Sequence, residues 1–206
     1  MAPPGDRAGG TSAGRVIAGS ARGIRLVGPG AGTRPLGDRV KQSLFAILEP
    51  GLRGSVFVDL YAGSGAAGIE ALSRGASGAI FVERDPGALE AIRRNVKAAG
   101  LEDRAVVVRA SASSWLLAAR RRELAAGPAS TVFLDPPYES PADLDSSLEA
   151  IELTGPGGVL TARGTVVAKH FWQAEPAPTR LLRSARQERF GDTVLTFFRW
   201  AEESEQ

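Results

Sequence analysis

The segment from residue 55 to residue 134 alternates short apolar runs with amphipathic stretches, and this alternation restricts the fold more than any other feature of the chain. Four apolar runs predict strands at residues 56–60, 79–83, 105–108 and 131–134. The stretches between them predict helices at residues 66–74, 86–99 and 113–126. Strands that alternate with helices predict a parallel sheet with helices on both faces, connected by right-handed crossovers.

The two ends of the chain depart from this alternation. Residues 1–14 are rich in proline and glycine and lack the apolar segment of a signal peptide, so they predict a disordered tail. Residues 15–32 predict a basic β-hairpin, and residues 38–48 predict a helix that Pro50 and Gly51 end. A fifth strand is predicted at residues 164–171. Two β-rich runs joined by Gly191 and Asp192 then predict an antiparallel hairpin. The glutamates of residues 202–206 predict an acidic tail.

These elements predict one α/β domain over residues 33–201, which suits a chain of 206 residues. A doubly wound, mostly parallel sheet that ends in an antiparallel hairpin is the architecture of class I, Rossmann-like methyltransferases that use S-adenosylmethionine (SAM). The sequence shows no uninterrupted apolar run long enough to span a bilayer. We therefore expect a cytoplasmic protein that does not bind membranes.

The chain contains no cysteine and one histidine, His170, and these counts exclude several kinds of chemistry. Without cysteine there can be no disulfide, no thiolate metal site and no thiolate nucleophile. Enzymes that methylate carbon 5 of a pyrimidine generally add such a thiolate to the ring, so the sequence excludes that route. A single histidine argues against a histidine-based metal site or a catalytic triad, and we expect no metal.

The run Asp135, Pro136, Pro137 and Tyr138 directly follows an apolar stretch, which places it at the carboxyl end of a predicted strand. The prolines fix the backbone and lack N–H donors, which leaves their carbonyls free to accept hydrogen bonds. Asp135 adds charge-assisted acceptors, and Tyr138 offers a face for stacking. The four residues therefore predict a catalytic site that grips a planar amino group, such as the exocyclic amine of a nucleobase.

A glycine-rich loop follows the first predicted strand, and residues 59–68 contain the spacing G-x-G-x-x-G. A nicotinamide or flavin enzyme would carry the same spacing. Asp59 ends the strand ahead of the glycines, where a carboxylate would repel a pyrophosphate but could accept from the ammonium group of SAM. Glycines let the backbone approach a ligand closely. The loop residues that we expect to contact the cofactor are Tyr61, Ala62, Gly63, Ser64 and Gly65.

Two later strand ends extend the predicted nucleoside site. Glu83 closes the second strand, where a carboxylate can accept from both ribose hydroxyls of a nucleoside. Ser111 and Ala112 follow the third strand and are predicted to lie beside the adenine. Arg84 and Asp135 complete the predicted cofactor-binding set. An acid at position 83 indicates a nucleoside but does not distinguish SAM from a nicotinamide cofactor.

Several motifs, taken in order, resemble those of one known family. They are the Arg-rich hairpin, Thr33-Arg34-Pro35, Asp38-Arg39-Val40-Lys41, the loop 59–65, residues 70–76, Glu83-Arg84-Asp85 and the run 135–138. With these motifs the chain resembles the RsmD-type bacterial methyltransferases over roughly residues 15–200. Members of that family methylate a guanine N2 of 16S ribosomal RNA. The chain departs from the family at Ser111, where many relatives carry an acid, and at Lys169-His170, where an acid is also expected.

The resemblance implies a SAM-dependent enzyme that methylates the exocyclic N2 amine of a guanine in 16S ribosomal RNA. Asp59, Gly63, Gly65, Glu83 and the pair Ser111-Ala112 would hold SAM, and Asp135, Pro136 and Tyr138 the guanine. We expect a monomer that acts on a small-subunit assembly particle. The basic residues that would contact RNA phosphates without reading the sequence are Arg22, Arg25, Arg34, Arg39 and Lys41.

Three other functions remain open from the residues themselves. A DNA methyltransferase acting on adenine N6 or cytosine N4 shares the Asp-Pro-Pro-Tyr run, although this chain has no room for a large target-reading segment. A nicotinamide-dependent oxidoreductase shares the glycine spacing. A non-catalytic RNA-binding assembly factor would share the basic hairpin.

Overall fold

The architecture comes from a computed structural model that describes residues 11–30, 36–119 and 127–201. The strands are β1 (Ser12–Arg15), β2 (Arg25–Val27), β3 (Val56–Leu60), β4 (Gly78–Glu83), β5 (Ala105–Arg109), β6 (Ala129–Leu134), β7 (Leu160–Phe171), β8 (Leu182–Phe190) and β9 (Thr193–Trp200). The α-helices are α1 (Asp38–Leu52), α2 (Ala66–Ser73), α3 (Pro86–Ala98), α4 (Ala112–Ala119) and α5 (Pro141–Glu152).

Seven of these strands form one sheet in the order β5-β4-β3-β6-β7-β9-β8. Neighbours from β5 to β7 are parallel, whereas β9 is antiparallel to both β7 and β8. The predicted doubly wound sheet with a C-terminal antiparallel hairpin is therefore confirmed. The chain first moves from β3 to β4 and β5 and then returns to the other side of β3 as β6. This reversal opens a crevice beyond the carboxyl ends of β3 and β6.

Alternate residues of the central strands pack on opposite faces of the sheet, because successive side chains of a strand point to opposite sides. Phe57 and Phe133 pack in the core that α1, α2 and α3 cover. Val58 and Val132 pack in a second core, which α4 and α5 cover. Both faces of β3, β4 and β6 are therefore buried, which explains their nearly continuous apolar sequences, whereas β5 at the edge of the sheet is partly exposed.

The N-terminal strands β1 and β2 pair antiparallel and dock on α2 through Glu70. Glu70 is fully buried; its Oε2 accepts from the Ile17 amide at 2.7 Å and its Oε1 from the Ala18 amide at 3.0 Å. Arg74, one helical turn later, donates to the same Oε1 at 2.7 Å. The buried carboxylate thus has a charged partner and two amide donors, which makes its burial tolerable and fixes the hairpin on the domain.

A second anchor joins β2 to the loop after β3. The Asn95 side chain of α3 accepts from the Val27 amide at 2.8 Å and donates to the Val27 carbonyl at 2.8 Å. It also donates to the Ser64 carbonyl at 2.9 Å. One buried carboxamide therefore holds the hairpin and the glycine-rich loop together.

The structure corrects several predicted boundaries. Helix α1 continues through Pro50 to Leu52: the proline costs the helix one N–H donor, and burial of Leu52 in the core holds the last turn in place. Strand β1 begins at Ser12, so the tail prediction was wrong for residues 12–14; Ala13 is buried and pairing with β2 orders the segment. Helix α5 was not predicted, and β7 begins four residues earlier than expected.

Some predictions lie outside the described residues: the tail at 1–10, Arg34 with the rest of 31–35, the end of the fourth helix at 120–126, and the acidic tail at 202–206. Among the helices that the structure describes, none has the length and apolar character needed to cross a membrane.

Candidate active site

A cavity of about 400 Å³ lies at the crevice beyond β3 and β6 and brings most of the predicted site residues together. The predicted residues that line it are Asp59, Tyr61, Ala62, Gly63, Ser64, Glu83, Arg84, Ser111, Ala112, Asp135, Pro136, Pro137 and Tyr138. Residues 11–13 of the N-terminal segment and Asp143 and Ser146 of α5 also line it, and none of these was predicted. The N-terminal hairpin therefore forms a wall of the cavity.

Asp59 lies at the floor of the cavity, near the end of β3, and is 2% exposed. Its Oδ2 accepts from the Gly68 amide at 2.9 Å. Burial raises the pKa of the Asp59 carboxyl well above its usual value; the Gly68 amide opposes this shift, and the carboxylates of Asp135 and Glu83 add to it. A buried carboxyl with acidic neighbours favours a cationic ligand group in the cavity.

The loop after β3 has a strained backbone that other contacts hold in place. Tyr61 has φ of 63°, the left-handed region that a bulky residue rarely adopts. Its hydroxyl donates to the Asp143 carbonyl at 3.0 Å and lies 2.8 Å from the Ser147 hydroxyl, so α5 fixes the ring. Strain of this kind persists where surrounding contacts over-determine the conformation, and it is frequent at functional sites.

Gly65, which we predicted to contact the cofactor, does not line the cavity. It has φ of 77° and precedes the first turn of α2. A Cβ at this position would lie 3.3 Å from both Ile69 Cδ1 and Phe81 Cε1, which is a tight contact with the core. The structure therefore gives Gly65 a role in turning the chain into α2, while Gly63 faces the cavity.

Glu83 caps the amides of the neighbouring loops. Its Oε2 accepts from the Gly63 amide at 2.9 Å. Its Oε1 accepts from the amides of Arg84 at 2.7 Å and Asp85 at 2.9 Å. Oε1 thus accepts from two amides and Oε2 from one, so the second lone pair of Oε2 remains available to a ligand in the cavity. These bonds fix the orientation of the carboxylate relative to the glycine-rich loop.

Ser111 and Ala112 lie where β5 leads into α4. The Ser111 hydroxyl accepts a hydrogen bond from the Ser114 amide at 3.2 Å and donates one to the Ser114 hydroxyl at 2.8 Å. It therefore satisfies an amide in the first turn of α4. Ala112 is buried and lines the cavity. Because position 111 carries a serine and no acid, the side chains that Ser111 and Ala112 present at this end of the cavity are small and uncharged.

Asp135 forms an ion pair with Lys169, a residue of β7 that also lines the cavity. Lys169 Nζ donates to Asp135 Oδ1 at 2.5 Å, and the two side chains are 11% and 21% exposed respectively. Burial raises the pKa of the Asp135 carboxyl, and the ammonium partly offsets that shift. Burial lowers the pKa of Lys169, but Asp135 and Tyr138 together outweigh burial and raise it above its usual value. Lys169 therefore remains an ammonium.

Tyr138 extends the site toward β7 and β9. Its hydroxyl lies 2.9 Å from the Thr193 hydroxyl, and its ring centroid lies 6.1 Å from that of Phe171. Lys169 Nζ lies 4.8 Å from the Tyr138 ring centroid, within the range of a cation–π interaction. The ring is thus held on three sides at the carboxyl edge of the sheet.

Lys169 and His170 occupy the position where we expected an acid, and the structure separates their roles. Lys169 points to Asp135, whereas His170 is buried and its Nε2 lies 2.9 Å from the Thr196 hydroxyl. His170 Nδ1 lies 2.9 Å from the Phe171 carbonyl. The departure is visible in the sequence, but the pairing of Lys169 with Asp135 is not, because contacts between β6 and β7 leave no local sequence signal.

The predicted RNA-contacting residues divide into exposed and buried ones. Arg22, Arg25 and Arg39 are exposed. Lys41, however, is fully buried and its Nζ donates to the Arg15 carbonyl, so its assignment to the basic surface was wrong. Burial lowers the pKa of the Lys41 ammonium, and the nearby Glu70 opposes this shift. Lys41 joins α1 to the N-terminal hairpin.

Comparison with known proteins places the chain in a family. Residues 14–199 match the family model described as "Conserved hypothetical protein 95". The chain belongs to this RsmD-type family. The resemblance that the sequence motifs indicated is therefore confirmed.

Two family relatives illustrate the extent of the similarity. Bacillus subtilis (strain 168) YlbH, which its name assigns to the rRNA methyltransferases, is 38% identical over 188 residues, covering 90% of this chain and 98% of YlbH. Ribosomal RNA small subunit methyltransferase D of Escherichia coli (strain K12) is 39% identical over 125 residues. That match covers 60% of each chain, less than two thirds of the relative.

Solved structures show the same architecture. The methyltransferase-named protein yhhF of Escherichia coli superimposes with a TM-score of 0.76 at 29% identity, covering 92% of this chain and 98% of that one. A hypothetical protein of Thermus thermophilus gives a TM-score of 0.73 at 31% identity, covering 89% of this chain and 97% of that one. The family's class I, Rossmann-like fold is therefore confirmed for this chain.

Proposed function

We propose that this family member transfers a methyl group from SAM to the exocyclic N2 amine of a guanine in 16S ribosomal RNA. The observation that carries the proposal is the placement of Asp59 and Asp135 at the ends of the adjacent strands β3 and β6, on one cavity. A cation-accepting end and an amine-gripping end thus share one space. The names of YlbH and of the Escherichia coli relative support ribosomal RNA as the substrate.

The residues at one end of the cavity fit SAM. The Asp59 carboxylate suits the ammonium group of its methionine part, and Glu83, held by the Gly63 amide, suits the ribose hydroxyls. A volume of about 400 Å³ falls in the range of small-molecule sites. When bound, SAM supplies an activated methyl group, and the site would hold it through Asp59, Glu83, Gly63 and the pair Ser111-Ala112.

The other end of the cavity suits an amine. Asp135 Oδ1 accepts from Lys169, so we assign Oδ2 and the Pro136 carbonyl to the two hydrogens of the target amine. Accepting both hydrogens favours a pyramidal nitrogen, whose lone pair is then available for attack. Tyr138 offers a ring on which the extruded base stacks, which offsets the loss of stacking in the RNA. We assign to Asp135 the acceptance of the proton that the nitrogen loses.

The remaining functions are less well supported. A nicotinamide-dependent oxidoreductase would bring a pyrophosphate against the buried carboxylate of Asp59, where two negative charges would meet with little water. A DNA amino-methyltransferase would use the same amine grip, and the exposed Arg22 and Arg25 would suit either nucleic acid. The relatives' names favour ribosomal RNA over DNA. We propose cytoplasmic action on an assembling small subunit, as a monomer.

The test is a methyl-transfer assay with purified protein and labelled SAM. Substrates are 16S rRNA transcript, small-subunit particles from cells lacking the protein, and unmethylated DNA, followed by mass spectrometry of the digested nucleosides. We expect label in N2-methylguanosine from RNA or particles. Label in N6-methyladenine or N4-methylcytosine of DNA would refute the proposal that ribosomal RNA is the substrate. If calorimetry shows that a nicotinamide cofactor binds more tightly than SAM, the proposal that SAM is the cofactor is refuted.

A further inference from the structure

A row of aromatic rings leads from the cavity to the protein surface. Tyr138 lines the cavity, and its ring centroid lies 6.1 Å from that of Phe171, at the end of β7. The Phe171 centroid in turn lies 6.2 Å from that of Trp172. Because β6 and β7 are parallel, this row extends along the carboxyl edge of the sheet, the edge at which the cavity opens. The amine-gripping end of the site is thus continuous with a surface tryptophan.

Trp172 carries a cation on its face. The Arg189 guanidinium carbon lies 4.3 Å from the Trp172 ring centroid, and Arg189 Nε donates to the Gly191 carbonyl at 2.9 Å. The Trp172 amide donates to the Asp192 carbonyl at 3.0 Å, so the turn between β8 and β9 positions both side chains. Trp172 is 37% exposed and Arg189 is exposed. The stacked pair is therefore preformed and accessible to a ligand.

The chemistry of the pair fits a nucleotide. An indole and a guanidinium plane both stack on nucleobases of any sequence, and the guanidinium also contacts phosphate. Two acidic residues lie nearby, Asp192 in the turn and Glu188 in β8, but Glu188 is engaged by Arg186 at 2.7 Å. Because Arg186 is paired with Glu188, the positive charge that β8 adds beside Arg189 comes from the exposed Arg183. Among the residues that the structure describes, β8 is the edge strand of the sheet, and an edge that carries arginines next to an exposed tryptophan suits a nucleic-acid backbone.

We propose that Trp172 and Arg189 form a stacking site for a nucleotide next to the target guanine in the substrate RNA. This inference rests on the proposed function, since it needs an RNA whose target base enters the Tyr138 end of the cavity. Extruding that base exposes the face of its neighbour. The neighbour then stacks on the Trp172 and Arg189 pair, which holds the strand while the target amine is at Asp135.

The experiment compares Trp172→Leu, Trp172→Phe and Arg189→Ala with the wild-type protein, using the RNA or particle that the wild type methylates. Trp172→Leu should raise KM for RNA about tenfold, in line with the loss of one stacked base, with KM for SAM unchanged. Trp172→Phe should retain most of the affinity because it keeps an aromatic face. Arg189→Ala should raise KM for RNA. It should also reduce the slope of the logarithm of the binding constant against the logarithm of salt concentration by about 1, the value expected for one phosphate contact.

The matched control is Arg53→Ala, an exposed arginine just after α1, at the opposite, amino-terminal end of β3. It should leave both KM values unchanged. Equal KM for RNA in Trp172→Leu and wild type would overturn the inference, as would an equal loss in Trp172→Leu and Trp172→Phe. Absence of methyl transfer by the wild-type protein to any RNA or particle would instead refute the proposed function, so the two failures are distinguishable.

Discussion

Removing the Asp135 carboxylate should destabilise the protein, and removing its partner as well should restore stability without restoring activity. In Asp135→Ala the Lys169 ammonium, 11% exposed, would lose the carboxylate that lies 2.5 Å away. Breaking a buried ion pair by removing one partner costs about 3–5 kcal/mol. Because the Asp135 side chain is 21% exposed on an open cavity, water can replace part of the lost interaction. We therefore expect a loss of about 1–3 kcal/mol.

The double variant Asp135→Ala with Lys169→Met removes both charges and leaves an unbranched apolar side chain of similar length. Replacement of a buried pair by apolar groups is often neutral. We therefore expect the double variant to recover most of the lost free energy of unfolding, while both variants lose methyl transfer.

The assay is equilibrium urea denaturation of wild type, the two single variants and the double variant, in the absence of SAM. The coupling energy of the cycle should be on the order of 1–3 kcal/mol. An Asp135→Ala variant as stable as the wild type, or a double variant no more stable than Asp135→Ala, would show that the pair is not energetically coupled. Methyl transfer by the double variant at the wild-type rate would refute the role of Asp135.

Three further expectations concern other parts of the molecule. Because burial raises the pKa of Asp59 in the folded state, the stabilisation from this residue is present at low pH and is lost as pH rises from about 4 through the folded pKa. Asp59→Asn should therefore reduce the fall of the urea midpoint with rising pH. Parallel midpoint profiles for the variant and the wild type would contradict this. A Cβ at Gly19 would lie 1.8 Å from the Ser73 carbonyl oxygen, so Gly19→Ala should displace the N-terminal hairpin. The amide hydrogen exchange of the hairpin should then become faster. An unchanged exchange rate would argue against the close contact. Replacing Arg22 and Arg25 by Ala should weaken RNA binding and flatten its salt dependence; an unchanged slope would remove the hairpin from the RNA surface.

Much of the fold followed from local sequence patterns. The central parallel strands β3, β4 and β6 are buried on both faces and therefore appear as continuous apolar runs, and the helices between the strands begin and end at recognisable residues. Helix α5 carried a signal that was overlooked: Pro141 at its first position, with Leu144, Leu148 and Ile151 buried at helical spacing. This helix supports Tyr61 and so belongs to the site.

The site was predictable where its residues end strands, because parallel strands bring their carboxyl ends to one edge. Lys41 could have been assigned to the core, since its spacing from Leu44, Phe45 and Leu48 places it on the buried face of α1. The pairing of Lys169 with Asp135 could not have been derived, because it depends on the contact between β6 and β7 and on side-chain reach. The same holds for the stacking of Arg189 on Trp172.

The contacts of Asn95 have a thermodynamic consequence for the joint binding of SAM and RNA. Because one carboxamide bonds both Val27 of the hairpin and Ser64 of the glycine-rich loop, the two segments cannot shift independently without breaking a buried hydrogen bond. Binding free energies linked through such an element are reciprocal. If SAM fixes the loop and thereby raises the affinity of the hairpin for RNA, bound RNA must raise the affinity for SAM by the same factor.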